Sequence, residues 1–333
     1  MRTRKHVLER TPDGKPTEAD FELIESDVSA PSDRDVLVDV RYISLDPGQR
    51  SRLGTGADYA GALNVAVGET VTGYAVGDVL ESQHPEFSAG DTVTGELEWA
   101  ERCVVSGDDL EHVDVPEGIA DSAILHVLGG TGRTAYFGLL DIGRPRPGDT
   151  VVISAAAGAV GSVAGQIATM AGCRVVGITG SERKTEFITN DLGFDVAINY
   201  KDESVPEALD EQVPEGVDVY FDNVGGEIYD AVRERLNQRG RIAVCGKISL
   251  YNDPDPPPAP RYMHQRSRVR EEGFLVHDFA NRFDEADARL AKWLKEGKLV
   301  TRENVTEGIE RLPAAFIGLF EGENIGKQLV KLD

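Results

Sequence analysis

A short turn between residues 155 and 161 is the first feature whose residue types suit a chemical role. It follows a β-branched run, precedes an alanine-rich segment, and includes Ala156, Gly158, Ala159, Val160 and Gly161. A dinucleotide pyrophosphate needs close backbone approach and the free N–H groups of a helix that begins there. Gly158 and Gly161 meet these needs, while Ala156 stands where the first glycine of such a turn is usual. The alternative is plain packing of an Ala/Gly-rich helix, but the strand–turn–helix–strand context favours a dinucleotide site.

The end of the next predicted strand indicates which dinucleotide the turn would hold. An acidic residue about 20 positions beyond the turn would bind the adenosine ribose and repel a 2′-phosphate. Here Gly180 and Ser181 leave room and donors, and Arg183 or Lys184 provides positive charge for a phosphate. The sequence therefore predicts NADP(H) as the cofactor.

A catalytic or structural metal is not expected. The three cysteines, Cys103, Cys173 and Cys245, are dispersed, and the six histidines lack ligand spacing. The dispersed spacing of the three cysteines also argues against a disulfide framework, so a reducing cytoplasm is the expected location.

Strands and helices alternate in the second part of the chain, which predicts a parallel sheet with helices on both faces. The predicted strands are Thr150–Ser154, Arg174–Thr179, Val196–Asn199, Val217–Asp222 and 241–245, and the predicted helices are 123–128, 134–140, 161–171, 181–191, 228–236 and 285–296. The proline-rich run 253–260 is predicted to be a loop.

Residues 1 to about 120 differ in character, with short β-branched runs between Gly, Asp and Pro residues. Strands are predicted at 34–45, 69–74, 92–98 and 100–105, which makes this part a mostly β domain. The last segment, 327–332, is a predicted strand that returns to it.

The chain is strongly acidic, with 58 acidic against 35 basic residues and a net charge of −23. Such a charge opposes binding to nucleic acid or anionic membranes, so neither is an expected partner. One interpretation of this charge is adaptation to high salt, and the other is an acidic surface that is unrelated to salt.

Six ordered blocks resemble the zinc-independent medium-chain dehydrogenases/reductases, and within them the prostaglandin reductases and NADP-dependent alkenal/enone double-bond reductases. The blocks are 128–140, 155–161, 193–200, 221–227, 245–252 and 322–327. The resemblance implies an α/β fold: a GroES-like β domain over 1–122, completed by about 303–333, and a doubly wound Rossmann NADP-binding domain over 123–302. It also implies a homodimer.

The resemblance further implies which residues bind the cofactor. The turn Gly158–Gly161 would hold the pyrophosphate, and Lys184 and Tyr200 would lie near the 2′-phosphate. The residues implied around the ribose and nicotinamide are Asn223, Cys245, Gly246, Ile248, Ser249, Tyr251, Phe274, Leu275, Val276 and Asn324. For Cys245 and Phe274 a core position is an equal alternative.

Tyr251 is the residue that the resemblance assigns to chemistry. Hydride addition to the β-carbon of an enone leaves negative charge on the carbonyl oxygen, and a phenol donor there would stabilise the enolate. Protonation of the α-carbon can come from solvent. The expected substrate is thus a small molecule that contains an α,β-unsaturated aldehyde or ketone.

Two segments depart from the family pattern and leave the particular substrate open. Gly48 and Gln49 replace bulkier residues that help to wall the substrate pocket, and His277, Asp278 and Phe279 replace a Tyr-Arg-Trp pattern. The alternative activities are a zinc-independent NADPH:quinone reductase and an NADPH-binding protein without turnover.

Overall fold

Residues 1–54, 64–253 and 267–332 are described by the computed structural model. They divide into two units. The first holds 1–54, 64–125, 251–253 and 303–332 of these residues, and the second holds 126–250 and 267–302. The predicted proline-rich loop at 254–260 lies outside the described residues.

The first unit is built mainly from antiparallel strands. They are β1 (Arg2–Leu8), β2 (Phe21–Asp27), β3 (Asp35–Ser44), β4 (Thr72–Ser82), β5 (Thr92–Glu98), β6 (Arg102–Ser106) and β7 (Leu110–His112). Short 3-10 turns at Glu18–Asp20, Pro47–Arg52, Gly107–Asp109 and Asp121–Leu125 connect them.

In its described residues, the second unit contains one sheet of six parallel strands with its helices. The strands are β8 (Thr150–Ser154), β9 (Arg174–Thr179), β10 (Val196–Asn199), β11 (Val217–Asp222), β12 (Leu236–Val244) and β13 (Arg270–Gly273). The helices are α1 (Gly130–Phe137), α2 (Ala159–Met170), α3 (Glu182–Glu186), α4 (Val205–Gln212), α5 (Gly226–Arg233) and α6 (Phe283–Lys295). Gly138–Gly143 and Phe187–Asp191 continue α1 and α3 as π-helical turns, and Ile248–Leu250 and Val276–Arg282 are 3-10 turns.

The chain then returns to the first unit with β14 (Glu303–Glu307), a 3-10 turn at Ile309–Arg311, α7 (Leu312–Glu321) and β15 (Lys327–Lys331). β15 pairs antiparallel with β3 in the order β14-β15-β3-β4-β5-β7, and β6 also pairs with β3. The core of this unit includes Trp99, whose ring stacks on Phe21 at 5.7 Å.

The strand order of the second unit is β10-β9-β8-β11-β12-β13. Its central strands carry apolar residues toward both faces because a parallel sheet is covered on both: Val151, Val152 and Ile153 are fully buried. This order reverses direction between β8 and β11, which is the arrangement of a doubly wound dinucleotide-binding sheet. The two-domain architecture, a β domain with a Rossmann-like sheet, is therefore confirmed.

Four of the predicted Rossmann strands have the predicted bounds, and the deviations have local causes. The predicted helix 228–236 is displaced along the chain: α5 begins two residues earlier, at Gly226, and ends at Arg233, because Leu236 pairs with Val217 at the start of β12. Segment 123–128 is not a helix beyond Leu125, since the His126 carbonyl accepts hydrogen bonds from Gly129 and Gly132 instead. The strand predicted at 69–74 begins at Thr72, where pairing with β5 starts.

Candidate cofactor and active site

The turn between β8 and α2 has the backbone of a phosphate-binding turn. Gly158 is the N-cap of α2 and no side chain caps it, so the first N–H groups of a helix of 12 residues open on this turn. A Cβ at Gly161 would lie 2.5 Å from the Ala155 carbonyl oxygen, so only glycine allows the helix to approach the strand so closely. The turn therefore fits the pyrophosphate of a dinucleotide.

The sequence placed the usual first glycine of the turn at Ala156, but the left-handed backbone lies one residue earlier. The strained residue is Ala155, with φ of 48°, and not Ala156. Ala156 is fully buried, and its methyl group would lie 2.8 Å from a Cβ at Gly177 on β9. The glycine missing at position 156 is thus compensated by a glycine on the neighbouring strand.

At the end of β9, Gly180 and Tyr200 lie against each other. A Cβ at Gly180 would be 2.8–2.9 Å from three atoms of the Tyr200 side chain, so glycine is required for the ring to lie there. The tyrosine is 44% exposed, which leaves much of its surface to a ligand. Ser181 is the N-cap of α3 and is half-buried.

Lys184 lies in the same region with a perturbed amino group. Burial, followed by the positive charge of Lys201, lowers the pKa of Lys184 to about 8. A half-buried lysine beside a second, exposed lysine forms a donor pair suited to an anion. Arg183, the other cation considered from the sequence, is exposed. Sequence reasoning missed Lys201, although its position next to Tyr200 was a usable signal.

At the carboxyl ends of β8 and β11, side chains form a buried polar network. Asn223 Nδ2 donates to the Ser154 carbonyl at 2.7 Å, and Asn223 N donates to Ser154 Oγ at 2.9 Å. The Asp222 carbonyl accepts from the backbone N–H groups of Cys245 and Gly246 at 2.8 and 3.0 Å. The structure thus brings Asn223 and the 245–249 loop together at the strand reversal.

The rest of that loop is held by Asn223 and the residue after it. Ile248 N donates to the Asn223 carbonyl at 3.3 Å, and Ser249 donates to the Val224 carbonyl through its N at 3.2 Å and its Oγ at 2.7 Å. Burial, and secondarily Asp222, raises the pKa of the Cys245 thiol to about 12. The protonated thiol form of Cys245 is therefore favoured in this loop.

The residues after β13 divide between packing and exposure. A Cβ at Gly138 would lie 2.3 Å from the Phe274 ring and 2.8 Å from Phe221, so the Phe274 side chain packs on the π-helical turn. Leu275 is 40% exposed and Val276 is half-buried. The Phe274 side chain thus packs within the second unit but is only half-buried, and Leu275 and Val276 also keep exposed surface.

The segment 277–279, which departs from the family pattern, belongs largely to the packing of the second unit. Phe279 stacks on Phe137 with ring centroids 4.6 Å apart. Asp278 accepts a hydrogen bond from Leu275 N at 2.9 Å and so begins the 3-10 turn. His277 and Asp278 are exposed, and Phe279 is half-buried.

Tyr251 and Asn324 belong to the first unit. Both are half-buried, and Asn324 Nδ2 donates to the Gly326 carbonyl at 2.8 Å in the turn before β15. After Tyr251, the carbonyl oxygen of Asn252 would lie 3.6 Å from a Cβ at Gly14, so the segment 12–14 runs beside it.

Arg50 holds the segment 12–14 in that place. Its guanidinium donates to the Gly14 carbonyl at 2.8 and 3.1 Å and to the Pro12 carbonyl at 3.1 Å. Burial lowers the pKa of Arg50, but hydrogen bonds to carbonyl oxygens satisfy its donors. No sequence argument singled out Arg50.

The Gln49 side chain is buried within the first unit. It is only 8% exposed, and its Oε1 accepts from Asp46 N at 2.8 Å. Its Nε2 donates to the Thr72 carbonyl at 3.3 Å, over the space that Gly73 leaves open. Gln49 therefore fixes the 3-10 turn that also carries Gly48, which is half-buried.

Two further findings bear on the kind of protein. Within the described residues, no three His, Cys, Asp or Glu side chains are grouped so that they could hold a metal ion. In the same part of the chain, no helix combines the length and apolar character needed to cross a membrane.

Known proteins similar to this chain cover it from end to end. Residues 4–113 match the family model described as the N-terminal domain of oxidoreductase, and residues 159–292 match the model described as zinc-binding dehydrogenase. The NADPH-dependent curcumin reductase of Escherichia coli (strain K12) is 40% identical over 340 residues, 100% of this chain and 97% of that protein. Prostaglandin reductase 1 of Bos taurus is 42% identical over 335 residues, 98% of this chain and 97% of that protein.

Among solved structures, CurA from Vibrio vulnificus in complex with NADPH is similar at a TM-score of 0.93 and 39% identity, covering 99% of each chain. The chain belongs to the zinc-independent medium-chain dehydrogenase/reductase family.

Proposed function

We propose that this protein reduces the carbon–carbon double bond of α,β-unsaturated aldehydes and ketones with NADPH. The observation that carries the proposal is the full-length similarity to an NADPH-dependent curcumin reductase, because curcumin is itself a conjugated enone. The similarity to a prostaglandin reductase supports the same class of oxidoreductase.

The chain is an NADP-dependent oxidoreductase, and NADPH supplies a hydride when it is bound. The turn Gly158–Gly161 would bind the pyrophosphate, and Gly180, Ser181, Lys184 and Tyr200 would bind the adenosine with its 2′-phosphate. The residues proposed to border the ribose and nicotinamide are Asn223, Cys245, Gly246, Ile248, Ser249, Tyr251, Phe274, Leu275, Val276 and Asn324.

Tyr251 is the proposed catalytic residue. Once the β-carbon of the substrate has received a hydride, negative charge develops on the carbonyl oxygen, and the Tyr251 phenol donates a hydrogen bond to it. The enolate then takes a proton at its α-carbon from water. The half-buried position of Tyr251 supports this role. So does the next residue, Asn252, because it lies beside the segment 12–14, which Arg50 holds in place.

The test is NADPH oxidation, followed by absorbance, with a medium-chain 2-alkenal, an aryl enone and a benzoquinone. We expect enone turnover, and a fall of at least about tenfold in Tyr251→Phe, because one oxyanion donor is lost. Tyr74→Phe is the matched control, since Tyr74 is a 54% exposed tyrosine of the same unit.

Two results would contradict the proposal. Quinone turnover that is indifferent to Tyr251, without enone turnover, would identify a quinone reductase. NADPH binding without oxidation of any substrate would identify a binding protein. We also infer from the family that the chain forms a homodimer, which sedimentation equilibrium would test.

A further inference from the structure

Asp222 ends β11 at the carboxyl edge of the parallel sheet, beside the end of β8. The strand order reverses between these two strands, and ligands of open parallel sheets bind outside the carboxyl ends at such a reversal. The aspartate is only 1% exposed. A buried carboxyl group thus lies under the place where the dinucleotide is proposed to bind, and no step of the proposed reaction uses it.

The surroundings of this carboxyl group are built for an anion. Its Oδ1 accepts hydrogen bonds from Tyr220 OH at 2.7 Å, from Ser154 Oγ at 3.0 Å, and from the backbone N–H groups of Val224 and Gly225 at 3.0 and 3.1 Å. Gly225 N also lies 3.2 Å from Oδ2. Burial raises the pKa of the Asp222 carboxyl, whereas these donors act to lower it.

All of these donors, within the described part of the chain, are neutral groups. The dipoles of these donors stabilise the negative charge, but because the donors are neutral the site keeps a net charge of −1. Burying an anion without a cationic partner costs folding stability, so we expect the charge to serve a function that offsets this cost. The opposite charge can arrive with the ligand, because the nicotinamide ring is neutral in NADPH and cationic in NADP⁺.

The same residue also determines where two loops lie. Its carboxylate fixes Val224 and Gly225, and its carbonyl oxygen fixes Cys245 and Gly246. Both loops carry residues proposed to border the nicotinamide side of the cofactor. The position of the charge and the positions of the two loops are therefore coupled through one residue, by its side chain and by its main chain.

We propose that Asp222 is a positioning residue whose uncompensated negative charge favours the oxidised, cationic nicotinamide over the reduced, neutral ring. This inference rests on the proposed NADP(H) function. Because NADP⁺ and NADPH share their adenosine, phosphates and riboses, the ratio of their dissociation constants isolates the effect of the ring charge.

The test measures both dissociation constants by isothermal titration calorimetry in wild type, Asp222→Asn and Asp218→Asn. Asp218 is the matched control, since it lies at the other end of β11 and accepts from Thr150 N and Asn237 Nδ2, each at 2.9 Å. In Asp222→Asn we expect the ratio Kd(NADP⁺)/Kd(NADPH) to rise about tenfold, as one nearby unit charge is removed. In Asp218→Asn we expect the wild-type ratio.

If Asp222→Asn weakens the binding of NADP⁺ and of NADPH equally, the residue has only a structural role, and the inference is overturned. If that variant does not fold, Tyr220→Phe decides when its ratio is followed to low pH, because it removes a hydrogen bond that lowers the pKa of the Asp222 carboxyl and so makes this group easier to protonate. As the pH falls, its ratio must move toward NADPH before that of the wild type does, and a ratio that stays level with the wild type or moves toward NADP⁺ overturns the inference. A wild type that binds neither cofactor would instead contradict the proposed function.

Discussion

The amino group of Lys184 is half-buried and close to Lys201, and both conditions lower its pKa, to about 8. An amino group in this state gains most from a ligand that brings a negative charge, because the ligand restores the protonated form. A 2′-phosphate is such a ligand, whereas NADH brings no charge to this position. The preference for NADPH should therefore depend on pH.

In the free protein Lys184 loses its proton as pH rises through about 8, while the phosphate-bound lysine keeps it. NADPH binding then takes up a proton, so its affinity should fall by about tenfold from pH 7 to pH 9. NADH affinity should change little over that range. Fluorescence titrations of both cofactors at several pH values test this.

Three variants sharpen this test. Lys184→Met should weaken NADPH binding and abolish its pH dependence. Lys201→Gln should move the fall in affinity to higher pH, because it removes the like charge. Arg183→Gln, an exposed change on the same helix, should retain wild-type pH dependence. Equal pH dependence for NADH and NADPH would contradict a role of Lys184 at the phosphate.

Between elements, one ion pair joins β15 to the 3-10 turn Pro47–Arg52. Lys327 begins β15 and pairs with Asp46, which precedes the turn. The lysine side chain is 1% exposed and the aspartate side chain is 39% exposed. The lysine's only other acceptor in the described ranges is the Leu45 carbonyl at 3.5 Å. The two partners are therefore unequal in their access to water.

This inequality predicts an asymmetric response to mutation. Asp46→Asn leaves a buried ammonium group without its counter-charge and should lower the free energy of unfolding by about 3 kcal/mol. Lys327→Met leaves a carboxylate that water and Ser44 Oγ, 2.6 Å away, can stabilise, so it should cost about 1 kcal/mol. Urea unfolding of both variants and of the double variant measures these costs. A larger loss in Lys327→Met would contradict this account of the pair.

At the scale of the whole molecule, the net charge of −23 sets a field that opposes the folded state. Ion pairs such as Arg2–Glu25 lie in solvent and contribute little to offset it. We propose that the protein is adapted to high salt, where screening shortens the reach of this repulsion.

Raising KCl from 0.1 to 2 M should accordingly raise the melting temperature by at least about 4 °C. Sucrose at equal osmolality is the control, because it strengthens burial without screening charge. Differential scanning fluorimetry measures both series. A melting temperature that stays constant or falls as KCl is raised would contradict adaptation to high salt.

The apolar strands and the glycine turn could be predicted from the sequence because their signals are local. Thr150–Ser154 and Val217–Asp222 are runs of β-branched and aromatic residues, and Gly158–Gly161 follows the first of them directly. The polar edge strands β13 and β14 could not be predicted. Arg270–Gly273 and Glu303–Glu307 carry no apolar period, and they are strands only because a neighbouring strand is already in place.

The sequence by itself therefore determined the alternation of strands and helices, the glycine turn proposed to bind phosphate, and the lack of an acid after the second strand, since each is a matter of residue type and short spacing. Only the tertiary structure decided that Gly177 makes room for Ala156, that Lys201 lowers the pKa of Lys184, and that four neutral donors converge on Asp222. Burial and electrostatic fields depend on residues that are distant in the chain, and their effects arise only when folding brings those residues into contact.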